Sequence, residues 1–211
     1  MVTAALVLFS VISLLVLLRA ERLGYRQLVY VAKPLTMVSI GLIAVFAWPA
    51  VSPDYQRLIL IGLGLSLAGD IALMLPKDRF LAGLGAFLVA HVAYTAAFLG
   101  RLEAIPALPF LPFALAGLFV VRLLWRHLDR LRWPVVIYAT AIAAMAGSAW
   151  AVAMTLGTTS AWLGAIGASL FVVSDTVLGF NRFVGEISSS QSLILWTYFP
   201  AQVLIAISVF A

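Results

Sequence analysis

The 211-residue sequence predicts an all-α fold: a single-domain bundle of eight transmembrane helices. Three observations predict it. Hydrophobic residues make up 64% of the chain and charged residues only 10%, where soluble domains carry about a quarter. The apolar residues fall into eight runs, each long enough to cross a bilayer. The basic residues collect in alternate loops between those runs.

The runs cover about 2–18, 28–48, 57–75, 80–99, 106–124, 134–156, 161–180 and 192–210. Pro49, Pro53, Pro106, Pro109 and Pro134 fall near helix starts and stops. Trp48, Trp125, Trp133, Trp162 and Trp196 lie near span ends, where an aromatic belt is expected. The loops are too short to hold a soluble domain, so residues 1–211 read as one transmembrane unit. Met1-Val-Thr-Ala-Ala-Leu6 lacks the basic stretch and small-residue cleavage site of a signal peptide, so the first span is expected to stay. Cysteine is absent, which excludes disulfides and thiolate metal sites.

Charge sets the orientation. The loops after runs one, three, five and seven hold Arg19, Arg22, Arg26, Lys77, Arg79, Arg122, Arg126, Arg130, Arg132 and Arg182. The opposite side has Arg57 and Arg101. The positive-inside rule places the richer side in the cytoplasm and both termini on the other side. Losing any one run would scramble this division. The net charge of +5 is therefore an orientation signal and an attraction to anionic lipid, with no nucleic-acid partner implied. The expected setting is a multi-pass protein of a bacterial cell membrane.

Asp70 and Asp175 lie deep in apolar runs, where a carboxylate costs about 2.5–3.5 kcal/mol on insertion scales. Lys33 is the one remaining basic residue, and it too falls inside a run. Each of the three stands seven residues from a basic loop marker (Arg26, Lys77 and Arg182), or ~10 Å at the helical rise. Tyr138, six residues past Arg132, joins the same layer. Convergence on a shared cavity is the economical reading, because unpaired charges facing lipid are disfavoured. Pro34 leaves the carbonyl of Tyr30 without its helical donor and so available to a ligand, water or Lys33. His91 and Tyr94 share a helix face at i, i+3, and Tyr198 and Gln202 at i, i+4, extending the polar lining.

Blander readings stand beside these. Lys33 alone could snorkel to the head groups, and His91 could hydrogen-bond a neighbouring helix. Gly62, Ser66 and Gly69 form a small-residue ridge suited to close packing. His127 reads as a solvated loop residue, and the tyrosines as structural ones. The aspartates and Lys33 could form a buried ion pair, although such a pair contributes little net stability. Gly69-Asp70-Ile-Ala-Leu73 and Ser174-Asp175-Thr-Val-Leu178 occupy the third run of each half, the pattern of a 4+4 parallel repeat.

Five motifs in order resemble the YhhN-like lysoplasmalogenase family. They are Lys33-Pro34-Leu-Thr-Met37, Gly69-Asp70-Ile-Ala-Leu-Met74, Phe87-Leu-Val-Ala-His91-Val-Ala-Tyr94, Phe171-Val-Val-Ser-Asp175 and Tyr198-Phe-Pro-Ala-Gln202. The resemblance covers essentially the whole chain. It implies a membrane hydrolase that cleaves the vinyl ether bond of lysoplasmalogens to a fatty aldehyde and glycerophosphoethanolamine or glycerophosphocholine. The partner it implies is a lysophospholipid; the equal spacings from the basic markers place that substrate in the cytoplasmic leaflet, and no metal or cofactor is expected.

The chemistry suits the residues. Protonation of the vinyl ether β-carbon gives an oxocarbenium ion, water adds, and the hemiacetal collapses. One protonated carboxylic acid and one nearby anion are needed, as in glycosidases. Asp70 and Asp175 are the expected catalytic pair, with burial and mutual repulsion keeping one of them protonated. Lys33, His91, Tyr94, Tyr138, Tyr198 and Gln202 are the expected substrate-binding residues, with Lys33 holding either the phosphate or the neighbouring aspartate. Two rivals remain at this stage. One is a metal-dependent lipid hydrolase using His91, Asp70 and Asp175. The other is a small proton-coupled transporter, against which the charges lie toward one face rather than at the midplane.

Overall fold

The computed structural model describes residues 2–76 and 79–211. Lys77, counted above among the orienting charges, lies outside the described residues. The helices are α1 (Val2–Leu23), α2 (Arg26–Val45), α3 (Pro53–Met74), α4 (Phe80–Leu99), α5 (Phe110–Leu124), α6 (Arg132–Leu156), α7 (Thr159–Phe183) and α8 (Ser190–Ile207). Two 3-10 turns, Trp125–His127 and Asp129–Leu131, join α5 to α6. Among the described residues eight helices are long and apolar enough to cross a membrane, the fifth counted through its 3-10 turn. The protein is an all-helical integral membrane protein.

Local chemistry moves several ends from where hydropathy alone puts them. The third run begins near residue 57, but α3 starts at Pro53, because the Ser52 side chain accepts the Tyr55 N–H at 3.1 Å and proline suits the first helical position. The fifth run begins near 106, but α5 starts at Phe110, after Pro106 and Pro109. Between α6 and α7, Gly157 takes the left-handed conformation that ends a helix, and the Thr158 hydroxyl accepts the Ala161 N–H at 3.3 Å. At the first loop α1 runs on to Leu23, carrying Arg19, Glu21 and Arg22 with it.

Six helices close a ring: α2 packs on α3, α3 on α4, α4 on α6, α6 on α7, α7 on α8, and α8 back on α2. The remaining two lie outside it, α1 against α2 and α8, and α5 against α6. Hydroxyl pairs fix the α1–α2 contact, Ser10 with Ser39 and Ser13 with Thr36, each at 2.7 Å. The small-residue ridge of α3 does serve close packing. A Cβ on Gly62 would lie 2.2 Å from the Tyr94 ring, and one on Gly69 would lie 2.7 Å from the Phe87 ring. The absence of side chains there lets two aromatic rings of α4 press into the interior of the ring of helices. Phe87, Phe171 and Tyr198 meet edge to face at centroid distances of 5.4–6.2 Å and fill the middle of that interior.

Candidate functional site

Each helix of the ring sends one polar side chain toward a common region. They are Lys33 from α2, Asp70 from α3, His91 from α4, Tyr138 from α6, Asp175 from α7 and Tyr198 from α8. Lys33 precedes Pro34, which lacks the N–H that would otherwise bond the Tyr30 carbonyl. Its ammonium lies 2.9 Å from Asp70 Oδ1, with the two side chains only 11% and 3% exposed. Lys33 therefore points inward to an anion and does not snorkel. The other oxygen of Asp70 accepts the Tyr198 hydroxyl at 2.6 Å. Both oxygens of this carboxylate are held, one by a full positive charge.

Asp175 is placed differently. Its Oδ2 accepts the Tyr138 hydroxyl in a short hydrogen bond. Among the described residues no lysine or arginine stands within ion-pair distance of it. His91 Nε2 is 3.8 Å away, too far for a hydrogen bond. The His91 ring is instead wedged edge-on between Tyr138 and Phe171, at 5.2 and 4.8 Å. Neither of its nitrogens has a hydrogen-bond partner among the described residues. Among the same residues no three His, Asp or Glu side chains converge as a metal-ligand set.

Asp70 and Asp175 line one cavity of about 470 Å³ at the end of the bundle that carries Arg26. Lys33 and Tyr198 line it too, so four of the eight residues singled out from sequence meet there. Tyr138 reaches Asp175 from the far side, within a second cavity. His91, Tyr94 and Gln202, expected to line the site, are instead fully buried. Tyr94 donates to Gln202 Oε1 at 2.8 Å, one layer behind Tyr198. The reason is the aromatic plug: Phe87, Phe171 and Tyr198 close off the interior above these groups. The three buried residues brace the site without opening onto it.

The cavity mouth holds residues that sequence reasoning passed over. Glu21, Arg26 and Gln191 line it, and Gln191 Nε2 donates to Glu21 Oε1 at 3.2 Å. Arg26 counted as an orientation charge and depth marker, although its place seven residues before Lys33 also puts it on the same helix face. No sequence signal joins Glu21 to Gln191, which are 170 positions apart.

The arrangement supplies two carboxylates of unlike kind in one cavity. One is compensated by an ammonium and held on both oxygens; the other carries only a phenol. Carboxyl groups in such unequal settings can serve one as proton donor and the other as anion.

The fold and the site together define a class: a polytopic membrane protein with a carboxylate pair in a cavity opening at one end of a helical ring. The chain belongs to the YhhN family, whose model matches residues 28–209. It is 30% identical over 187 residues to a protein named uncharacterized membrane protein YhhN from Escherichia coli O6:H1, covering 86% of each chain. It is 34% identical over 169 residues to a lysoplasmalogenase of Mycobacterium tuberculosis, covering 74% of this chain and 61% of that one. It is 31% identical over 185 residues to human lysoplasmalogenase TMEM86B, covering 86% of this chain and 76% of that one. No solved structure matches it.

Proposed function

We propose that this protein is a membrane hydrolase that cleaves the vinyl ether bond of lysoplasmalogens, releasing a fatty aldehyde and glycerophosphoethanolamine or glycerophosphocholine. The observation that carries the reading is the unlike pair of carboxylates in one cavity, Asp70 bonded to Lys33 and Asp175 with no lysine or arginine beside it among the described residues. The relatives named lysoplasmalogenase supply the bond that such a pair would break.

Roles follow from the environments. Asp175 is the acid: its Oδ2 accepts from Tyr138, which leaves Oδ1 to carry and deliver the proton. It protonates the β-carbon, and the positive charge forms on the α-carbon and ether oxygen. Asp70 is the standing anion, since an unpaired carboxylate buried this deeply would neutralise itself, and Lys33 keeps it ionised. Its charge stabilises the oxocarbenium ion. Water adds to the α-carbon and gives a proton to Asp175, which is thereby reset. The hemiacetal then moves a proton from its hydroxyl to the ether oxygen and separates into aldehyde and alcohol. The net change is the addition of one water.

The head group belongs at the mouth. Lys33 is committed to Asp70, so Arg26 is the cation for the phosphate. By the positive-inside rule the mouth faces the cytoplasm, and the substrate comes from the inner leaflet. The acid pair lies ~10 Å inside the basic markers, about the depth of an sn-1 linkage below its head group.

The test is purified protein incubated with a lysoplasmalogen and, separately, with the matching ester lysophospholipid. Aldehyde is expected from the first and no fatty acid from the second, because an ester has no carbon to protonate in this way. Asp70→Asn and Asp175→Asn are each expected to abolish aldehyde release while expression is kept. Retained turnover in either variant would sink the two-carboxylate mechanism.

A further inference from the structure

A second cavity meets the first at Asp175. It is a narrow slot of about 90 Å³ bounded by α4, α5, α6 and α7. Asp175 and Leu178 line both cavities, so the acid stands in the wall that the two share. Their chemistry is opposite. The first has Glu21, Arg26 and Lys33 on its walls; the second is walled by residues such as Phe113, Ala116, Val120, Ala139 and Ile142. The slot's few polar groups are already engaged. The Tyr138 hydroxyl is on Asp175, and the Thr176 hydroxyl is on the Val172 carbonyl at 2.7 Å. What remains is hydrocarbon wall.

The dimensions fit a single chain. Along α5 the slot runs from Leu124 to Phe113, eleven residues or ~16 Å, which is about one leaflet of a ~30 Å hydrocarbon core. Small side chains keep the slot open: Ala116 on α5, and Ala139 beside Tyr138 on α6.

We propose that this slot receives the hydrocarbon chain of the lysolipid substrate, so that the head group lies in the polar cavity, the proximal methylenes in the slot, and the bond to be cleaved at Asp175 between them. The proposal rests on the hydrolase reading for the identity of that bond. It adds what that reading lacks, a direction for the substrate. With the chain on the slot side, the β-carbon is the atom that follows the ether linkage into the slot, past the carboxyl of Asp175. Ala116, on the slot's α5 wall, then sets how readily a chain enters it.

The experiment uses the whole protein in lipid nanodiscs and needs no turnover. The probe is a lysophospholipid with a saturated ether linkage and a diazirine near the ether end of its chain. Irradiation is expected to place adducts on the slot faces of α5 and α6, around Ala116 and Ile142. Ala116→Phe should cut that labelling about tenfold, the scale on which one misfitting group is rejected by an apolar pocket. Ala114→Phe, on the outer groove of the same helix, should leave it unchanged. Adducts confined to the walls of the polar cavity or to the outer surface overturn the proposal. So does an absence of adducts, or equal slot labelling by a diacyl phospholipid carrying the same group. A second arm separates the chemistry from the slot. In a chain-length series of lysoplasmalogens, Ala116→Phe should lower kcat/KM about tenfold for long chains and little for the shortest. Slot labelling with no aldehyde from any substrate would retire the hydrolase reading and leave a chain-binding slot. Aldehyde release with chain-length dependence untouched by Ala116→Phe would retire the slot.

Discussion

Replacing Lys33 with methionine removes the cation from Asp70 and keeps the stem. The pair is buried, with side chains 11% and 3% exposed, so solvent screens it little. Removing one member of a buried pair costs about 3–5 kcal/mol, because the other charge is left uncompensated. Asp70 can escape part of this by taking up a proton, which puts the expected loss near the lower figure, about 3 kcal/mol. In a chain of this length 1 kcal/mol moves Tm by about 2–4 °C, so Lys33→Met should melt roughly 6–12 °C lower in detergent. Tryptophan fluorescence on heating reads this directly, since the protein has six tryptophans. The double variant Lys33→Met with Asp70→Asn should recover most of the loss, because the amide oxygen still accepts from Tyr198 and no charge is stranded. Aldehyde release should fall about 100-fold in the single variant, the order seen when a preorganised electrostatic partner is lost. A single variant with wild-type melting and wild-type turnover would refute the claim that Lys33 holds Asp70 ionised. A large drop in Tm with full turnover would leave the ion pair in place and remove Asp70 from the chemistry.

Three other substitutions test separate parts of the site. Tyr198→Phe deletes the 2.6 Å hydrogen bond to Asp70 and keeps the ring that packs on Phe87 and Phe171; a hydrogen bond to a charged group contributes about 1.5–3 kcal/mol, so kcat should fall roughly tenfold or more with KM little changed. Gly62→Ala drives a methyl to 2.2 Å from the Tyr94 ring and should cost about 1–3 kcal/mol in thermal melts, whereas Gly64→Ala, with nothing within 4 Å, should melt like the parent. Arg26→Gln at the cavity mouth should raise KM for a lysoplasmalogen about tenfold and leave kcat near its original value, since the proposed binding mode sets Arg26 on the head group and away from the reacting atoms.

Depth along each helix was legible in the sequence, and rotation and closure were not. Lys33, Asp70 and Asp175 each sit seven residues from a basic marker, and this one-dimensional measure was enough to assign them to a single layer. Burial of charge then forces such residues to face one another. His91 and Tyr94 do face the interior of the ring, as their spacing suggests, yet they do not reach the cavity. What stops them is a plug of Phe87, Phe171 and Tyr198, drawn from three different helices, α4, α7 and α8. In sequence those phenylalanines look like any other apolar residue of a span. The slot was hidden for a related reason. Its walls are alanines and aliphatic residues whose only distinguishing property is the space they leave, and α5, which forms one wall, carries no charge at the depth of the site.

The structural ion pair was the plain alternative for these residues, and the geometry decides how far it reaches. It accounts for Lys33 and Asp70, which satisfy each other at 2.9 Å. It does not account for Asp175. A bundle built only for stability would put an apolar residue there, because even well-made buried pairs are often no better than their hydrophobic replacements. Among the described residues Asp175 has no lysine or arginine to justify its burial but the hydroxyl of Tyr138, and Tyr138 comes from another helix to provide it. Nor is the position a sealed one where an isolated acid could be an inert relic. Asp175 lines both a polar cavity and an apolar slot. A carboxyl group held at that boundary, in the same cavity as a second carboxylate bonded to Lys33, has little to do for the fold. It is well placed to deliver a proton to a molecule that is itself polar at one end and hydrocarbon at the other.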